Sequence, residues 1–297
     1  MSDIHFFSVE RTMNPLRSSL VCALALASFG CHPDAATNVP VTPTAAIHFV
    51  NAVPDTMQLD FRVVDMVSNA GLFDADFRIY DMFYKGIEAG NREIKIFLSS
   101  TNPSITSQFI TDTTFSFAQD LNYTFINLGF SRTGQTPGRT VVITQDAPPT
   151  PVGNQLGLRF IHAGAGLGAV DLYVLKHAAD TLALPAATAT NVAYGTVRVY
   201  GLVSSDTVAA DSTRIAVYAT GTTAGPLALL KAPAGTAGTP TTNPIPGARV
   251  AGTVFTAILV PRSVAGSMAP QTAAFTTPTL LYLVDKRPPN KIGRAHV

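Results

Sequence analysis

The sequence has few charged residues and almost no cysteine. Charged side chains make up 13% of the 297 residues, about half of the ~25% usual in soluble domains. The formal net charge is only +1, so the chain lacks the field that steers nucleic acids or acidic substrates. Cys22 and Cys31 are the two cysteines, both near the N-terminus. No disulfide can therefore form beyond residue 31, and stability must come from a packed core.

Long runs of helix-forming Glu, Lys and Leu are also missing, whereas Thr, Gly, Pro and β-branched residues are plentiful. This composition is typical of short strands joined by turns. The length is sufficient for two domains of ordinary size. We therefore predict an all-β protein with two domains.

Catalytic motifs are absent from the sequence. It contains no nucleophile elbow, HExxH zinc motif, paired cysteine ligands, phosphate-binding loop or Ser-x-x-Lys motif. We predict that the protein is not an enzyme, holds no metal or cofactor, and does not bind nucleic acid.

The N-terminus resembles an export signal. Residues 20–29 form an apolar run behind Arg17, too short to span a bilayer and of the length found in signal peptides. We assign residues 1–30 to this signal, with Met13 as the more typical start. Gly30-Cys31 resembles the end of a bacterial lipobox, although Ser28 and Phe29 depart from the usual pattern.

This resemblance implies that Cys31 is lipidated and anchors an outer-membrane lipoprotein. The alternative is a periplasmic or secreted protein cleaved near Ala27 or Ala36. Residues 31–45 are rich in Pro, Thr and Ala and are predicted to form a flexible tether. Residues 290–297 do not continue the pattern of the repeat, and a DNA sequence that would encode this tail resembles a sequencing adapter. We therefore exclude the tail from the prediction of the fold.

A tandem repeat organises the rest of the chain. Asn51 precedes Asp60 by nine residues, and His162 precedes Asp171 by the same spacing within a similar pattern. Seven alternating strands can be placed in each copy, among them 76–84 and 105–111 in the first and 194–200 in the second, which predicts two immunoglobulin-like β-sandwiches. The segment Ala219–Gly252 is rich in Gly, Thr and Pro and is predicted to form an irregular excursion between strands. The copies end alike, with an apolar strand followed by Asp146 in the first and by Asp285 in the second. Their bounds are 46–147 and 156–289, with a linker at 148–155.

The four side chains shared between the copies are predicted to be structural. Asn51 and His162 occupy the same position, and an Asn there argues against a catalytic or metal-binding His. Asp60 and Asp171 are expected to accept hydrogen bonds from turn amides. The alternative is that these carboxylates face a ligand.

Two further sites are considered and set aside. Six aspartates of the first copy form an acidic cluster in which calcium is conceivable, but their spacing does not fit a metal loop. Residues 164–169 carry the G-x-G-x-x-A spacing of a dinucleotide motif. That motif requires a following helix, whereas Val170–Val174 reads as a strand.

The pattern Phe160-Ile161-His162-Ala163 followed by Val170-Asp171-Leu172-Tyr173-Val174 resembles the bacterial domain-of-unknown-function family 4397. The second copy fits this family more clearly than the first. The resemblance implies an exported β-sandwich module, often in lipoproteins, without an assigned activity. We predict a non-enzymatic binding or structural module of the cell envelope, with an envelope protein or glycan as possible partner. The alternative is a carbohydrate- or polymer-active enzyme that uses Asp carboxylates.

Overall fold

The computed structural model describes residues 42–66, 71–177, 180, 184–206 and 213–290. The signal peptide, Cys31, most of the tether and the tail after residue 290 lie outside these residues. The described part is nearly all β, which confirms the predicted sandwich class. Its helical residues form a short α-helix, α1 (Pro103–Thr106), and a 3₁₀ turn (Ala273–Phe275). No described helix has the length and hydropathy needed to cross a bilayer.

The first half contains eight strands in its described residues. They are β1 Thr44–Ala52, β2 Leu59–Val63, β3 Leu72–Ala75, β4 Lys85–Glu88, β5 Gly90–Leu98, β6 Phe109–Phe117, β7 Asn122–Leu128 and β8 Thr140–Asp146. The second half likewise has eight in the ranges described. They are β9 Gln155–His162, β10 Val170–Leu175, β11 Ala189–Val192, β12 Gly201–Ser204, β13 Arg214–Ala219, β14 Ala228–Lys231, β15 Val254–Val260 and β16 Thr279–Lys286.

The two halves share one topology. The strand orders are β4-β1-β7-β8 and β3-β2-β5-β6 in the first half, and β12-β9-β15-β16 and β11-β10-β13-β14 in the second. Adding eight to each strand number in the first half gives the strand order of the second half. The pairs β1–β7 and β9–β15 are parallel, and the other pairs are antiparallel.

Each half buries its own core between its two sheets. In β5, Ile94 and Ile96 are buried while Lys95 between them faces outward, as the two-residue period of a strand requires. Phe49, Phe61 and Phe125 meet in the first core with ring centroids 5.5–5.9 Å apart. The second core is mostly aliphatic.

A third apolar cluster joins the two sandwiches. It is formed by the opposite faces of β1, β7, β9, β15 and β16, and includes Val50, Ile126, Ile161, Ile258 and Leu283. Residues from Pro43 onward accordingly belong to one compact unit. The central strands are therefore buried on both faces, which explains why all seven residues of β15 are buried.

Several local predictions were wrong. Each half has eight strands in its described residues rather than seven, because β3 and β4 replace one strand predicted at 76–84. The predicted strand 105–111 begins in α1, where Asn102 caps the helix and Pro103 occupies its first turn. The predicted strand 194–200 lies between β11 and β12. The tether ends before β1, since Thr44 already pairs with Glu88.

Candidate functional site

Asn51 and His162 each accept an equivalent hydrogen bond. Oδ1 of Asn51 accepts from the amide of Val53, and Nδ1 of His162 accepts from the amide of Gly164. Their donated hydrogen bonds differ, because Nδ2 of Asn51 reaches the carbonyl of Ala75 in β3 at 2.9 Å, whereas Nε2 of His162 reaches the carbonyl of Gly168 in the following loop at 2.7 Å. Burial lowers the pKa of His162, which keeps the ring neutral in this role.

Asp60 on β2 and Asp171 on β10 accept hydrogen bonds from the neighbouring strands β3 and β11, where the register of each pair shifts. Oδ1 of Asp60 accepts the amide of Asp74, and Oδ1 of Asp171 accepts the amide of Asn191. Asp74 and Asn191 both adopt positive φ, at 48° and 50°. The carboxylates therefore support a left-handed residue at the same place in each half. For Asp171, these backbone hydrogen bonds lower the pKa.

The glycine-rich segment 164–168 is a turn between β9 and β10. Gly166 and Gly168 have positive φ, at 79° and 72°, and the chain continues as the strand β10. A helix N-terminus that could hold a pyrophosphate does not follow this loop. The acidic cluster of the first copy also lacks a metal geometry, since no group of three potential ligands exists among the described residues.

Sequence reasoning missed a buried polar cluster between the sandwiches. It consists of matched pairs from the two halves, and we call it the interface cluster: His48 and Arg159, Thr124 and Thr256, Asp146 and Asp285, Tyr84 and Tyr200. His48 lies opposite Thr124 in the β1–β7 ladder, and Arg159 opposite Thr256 in the β9–β15 ladder. The parallel endings of the two copies already placed Asp146 and Asp285 at equivalent positions, which was the available signal.

Hydrogen bonds connect the interface cluster across the two halves. Thr124 donates to Asp146 at 2.6 Å, and Thr256 donates to Asp285 at 2.5 Å. Arg159 crosses between the halves, donating to Asp146 at 2.5 Å. Burial disfavours its charge, but the nearby Asp146, Tyr200 and Asp285 together outweigh this effect, so the pKa of Arg159 is raised.

His48 and Asp285 face each other without a hydrogen bond. Nδ1 of His48 donates to the carbonyl of Asp81 at 2.9 Å, which leaves Nε2 as an acceptor. Nε2 lies 3.6 Å from Oδ1 of Asp285, and neither atom has a hydrogen-bond partner. Burial raises the pKa of Asp285 to about 7 and lowers that of His48 to about 4. A proton on Asp285 directed at Nε2 would satisfy both atoms, while Arg159 and Asp146 balance each other's charge.

A surface of a different kind covers the outer sheet of the first sandwich. Its rings and cations come from four adjacent strands, and we call it the aromatic face: Phe73 on β3, Arg62 on β2, Phe97 and Lys95 on β5, and Phe109 on β6. The Arg62 guanidinium lies 4.6 Å from the Phe97 ring centroid and 5.9 Å from that of Phe73. Lys95 lies 4.9 Å from the Phe109 ring, which meets Phe97 at 6.2 Å.

The aromatic face leaves large apolar rings in water. Phe73 is 47% exposed and Phe109 is 50% exposed. A phenylalanine ring carries roughly 200 Å² of surface, so covering the exposed half of one ring is worth about 2–3 kcal/mol. Exposed rings gathered on one face indicate a contact surface.

The corresponding sheet face of the second sandwich is covered by the chain itself over β10 and β13, whereas Leu229 on β14, opposite Ala216, is 43% exposed. Tyr173 occupies the position of Arg62, and Tyr218 that of Phe97, and both tyrosines are buried. Leu184 and Ala187, from the connection between β10 and β11, pack against them. This connection has thirteen residues, whereas the one between β2 and β3 has eight.

An open groove of about 690 Å³ lies where loops of both halves meet. Its lining includes Phe130 and Leu167, together with Phe275 and the exposed Arg262 from the connection between β15 and β16. Arg78 holds this connection in place, because its guanidinium donates to the carbonyls of Pro261, Ala274 and Thr277, each at 2.6 Å. The groove offers space for a small molecule.

Comparison with known proteins gives one match. Residues 45–173 match the model of the family described as Domain of unknown function (DUF4397). The matched range begins in β1 and ends in β10, so it contains the whole first sandwich with its aromatic face and the start of the second. A single copy is detected, and it falls mainly on the half that we had expected to fit less clearly. No curated protein matches the chain. The chain is thus similar to this family of unknown function across its first sandwich.

Proposed function

We propose that this protein is a non-enzymatic binding module of the bacterial cell envelope. The observation that carries the proposal is the difference between the two outer sheets. The same sheet position is open and aromatic in the first sandwich and is covered by Leu184 and Ala187 in the second. A purely structural role would favour covering both faces, because exposed rings add nothing to stability. The open face therefore favours contact with a partner.

The second half acts in this proposal as a divergent copy that completes the fold. An origin by duplication is supported by the shared strand order, the paired interface cluster and the matching hydrogen bonds that Asn51 and His162 accept from the amides two residues later. The third apolar cluster and Arg159 hold the two copies together. The first copy is then free to present the aromatic face.

The location outside the cytoplasm rests on the leader sequence. The apolar run at 20–29 and Gly30-Cys31 support export and lipidation of Cys31. In this proposal the protein is an outer-membrane lipoprotein that contacts the membrane through this lipid alone. If Cys31 is not lipidated, the protein is periplasmic or secreted.

The envelope location is tested by cell fractionation. The full chain is expected in the outer-membrane fraction, and Cys31→Ser or a globomycin-type inhibitor of lipoprotein processing should release it or leave it unprocessed. Recovery of the wild-type chain in the cytoplasm would contradict the export part of the proposal.

The binding function is tested by capture from envelope extracts. The immobilised protein should retain an envelope component, and Phe73→Ser with Phe109→Ser should abolish retention. A matched control is Val199→Ser, since Val199 is 85% exposed and lies in the second half. Equal retention by all variants would show that the aromatic face is not the binding surface.

The enzymatic alternative would require free carboxylates. Asp60 and Asp171 instead accept the backbone amides of Asp74 and Asn191, and paired glycosidase carboxylates must face one cleft about 5–10 Å apart. An envelope-polymer hydrolase activity that disappears in Asp171→Asn, with folding retained, would favour the alternative.

A further inference from the structure

We propose that the aromatic face binds a neutral polysaccharide chain. This inference rests on the proposed binding function and adds the class of ligand. The surface combines two features that suit such a ligand: a row of rings across the sheet and charges that are already paired.

The rings provide stacking positions across the sheet. Phe73, Phe97 and Phe109 come from β3, β5 and β6, with Arg62 on β2 between the first two. Neighbouring strands lie about 4.8 Å apart, so the row of side chains crosses the sheet over about 14 Å. A sugar ring has an apolar face of C–H groups, and it can stack on a phenylalanine ring as another flat group does.

The charges on this surface do not favour an anionic partner. Arg62 pairs with Asp60 at 2.6 Å. Lys95 pairs with Glu93 at 2.8 Å and with Asp112 at 3.4 Å. The two cations are therefore outnumbered by three carboxylates on adjacent strands, and no positive field remains to attract phosphates, nucleic acid or polyuronates.

The paired charges instead supply fixed polar groups. The partly exposed Arg62 can donate to sugar hydroxyl groups, and the carboxylates of Glu93 and Asp112 can accept from them. Apolar stacking area combined with a few oriented polar groups is the general pattern of a small-molecule site. A neutral, hydroxyl-rich polymer matches both parts of this surface.

The second sandwich provides an internal comparison. There, Tyr173 and Tyr218 occupy the positions of Arg62 and Phe97 but are buried under Leu184 and Ala187. Binding should therefore depend on the first sandwich alone. Substitutions on the second outer sheet should not affect it.

Affinity electrophoresis of the leaderless chain tests the proposal. The probes are a soluble neutral β-glucan and, separately, a polyuronate. The neutral polymer is expected to retard the protein, and added salt should change this little. Phe73→Ser with Phe109→Ser should weaken retardation about tenfold or more, as when packed aromatic contacts are truncated. Val199→Ser should migrate as the wild type, and circular dichroism should show that all variants remain folded.

Four outcomes would overturn the ligand class. The first is no retardation by the neutral polymer, and the second is retardation by the polyuronate alone with strong salt dependence. The third is self-association in sedimentation that is lost with Phe73→Ser and Phe109→Ser, which would assign the face to a second copy of this chain. Capture of an envelope protein through the same two phenylalanines would overturn the sugar ligand but preserve the proposed binding function. Failure of both experiments would overturn both.

Discussion

Arg159 is the residue on which the interface cluster depends most. Its side chain is 2% exposed and joins the two halves through Asp146, with Thr256 and the Tyr200 ring on its other sides. A buried ion pair adds little net stability in itself, but removing one member leaves the other charge buried without a partner. Loss of Arg159 should therefore weaken the contact between the sandwiches, which the third apolar cluster also maintains.

Replacing this arginine should destabilise the whole protein. We expect Arg159→Met to lower the free energy of unfolding by about 3–5 kcal/mol, because Asp146 remains buried and unpaired. Arg198→Met is the matched control, since Arg198 is exposed and its loss should change stability by about 0.5 kcal/mol or less. Urea denaturation monitored by circular dichroism measures both. Equal stability of the two variants would contradict the role of Arg159.

Asp285 should give stability a distinctive pH dependence. Its pKa in the folded protein is about 7, above its ordinary value of 3.8. The contribution of Asp285 to the free energy of unfolding is therefore complete below about pH 4 and is lost as the pH rises towards 7. The loss is about 1.4 kcal/mol for each unit by which the pKa is raised. His48 has the opposite effect, since its pKa falls from 6.5 to about 4 and its contribution is lost as pH falls through this interval.

The variant Asp285→Asn separates the two effects. An amide can donate to Nε2 of His48 and still accept from Thr256, so it mimics the protonated acid at every pH. We expect the stability of the wild type relative to Asp285→Asn to decrease between pH 4 and pH 7. Denaturation curves at several pH values measure this difference. A constant difference would show that Asp285 keeps one protonation state in this range.

Among the elements, the connection between β14 and β15 differs most from its prediction. The sequence predicts an irregular excursion, because Ala219–Gly252 is rich in Gly, Thr and Pro. In the structure, the segment folds back on itself with backbone bridges between Thr236 and Ile245 and between Thr239 and Thr242. Gly235 and Gly247 lie against each other in this turn-back. Side-chain patterns do not reveal such close backbone contacts.

Gly247 gives this element a direct test. A Cβ atom at this position would lie 2.0–2.2 Å from the backbone of Ala234 and Gly235, so the chains would have to separate. We expect Gly247→Ala to cost about 1–3 kcal/mol, as overpacking does. Gly201→Ala is the control, because the nearest atom to its Cβ would be at 3.9 Å. Thermal unfolding compares the two. Similar losses would indicate that the turn-back is not packed as described.

The sequence patterns predicted the strands but not how the halves associate. Alternation in segments such as β2 and β5 indicated one buried and one outward face, and the Asn51–Asp60 and His162–Asp171 spacings indicated a repeat. Continuous apolar segments such as Val254–Val260 are typical of strands buried on both faces. They were interpreted as parts of separate sandwiches, since periodicity does not show which second layer covers a strand.

The polar sites were predictable to different degrees. Asp60 and Asp171 were predicted to accept turn amides because Asx residues favour such contacts, but the amides of Asp74 and Asn191 lie in β3 and β11. Asp171 also accepts the turn amide of Gly221. The interface cluster could not be derived in the same way, because His48 and Asp285 meet only when both halves are packed. The aromatic face depends on the short connection after β2, and its exposure becomes evident only by comparison with the covered second sheet.

At the scale of the whole molecule, the two sandwiches form one folding unit. Their central sheets share an apolar layer that includes Val50, Ile161 and Ile258. Separating the halves would expose this layer together with the charges of Arg159 and Asp146. Because burial of apolar area is the main stabilising contribution to folding, neither half should remain folded while the other unfolds.

Differential scanning calorimetry of the leaderless chain tests this shared unit most directly. The protein should unfold in a single transition whose calorimetric and van't Hoff enthalpies agree. Gly247→Ala, which lies in the second half, should move the entire transition to lower temperature. Two resolved transitions, with only one of them shifted by Gly247→Ala, would show that the sandwiches are independent domains and would contradict the shared core.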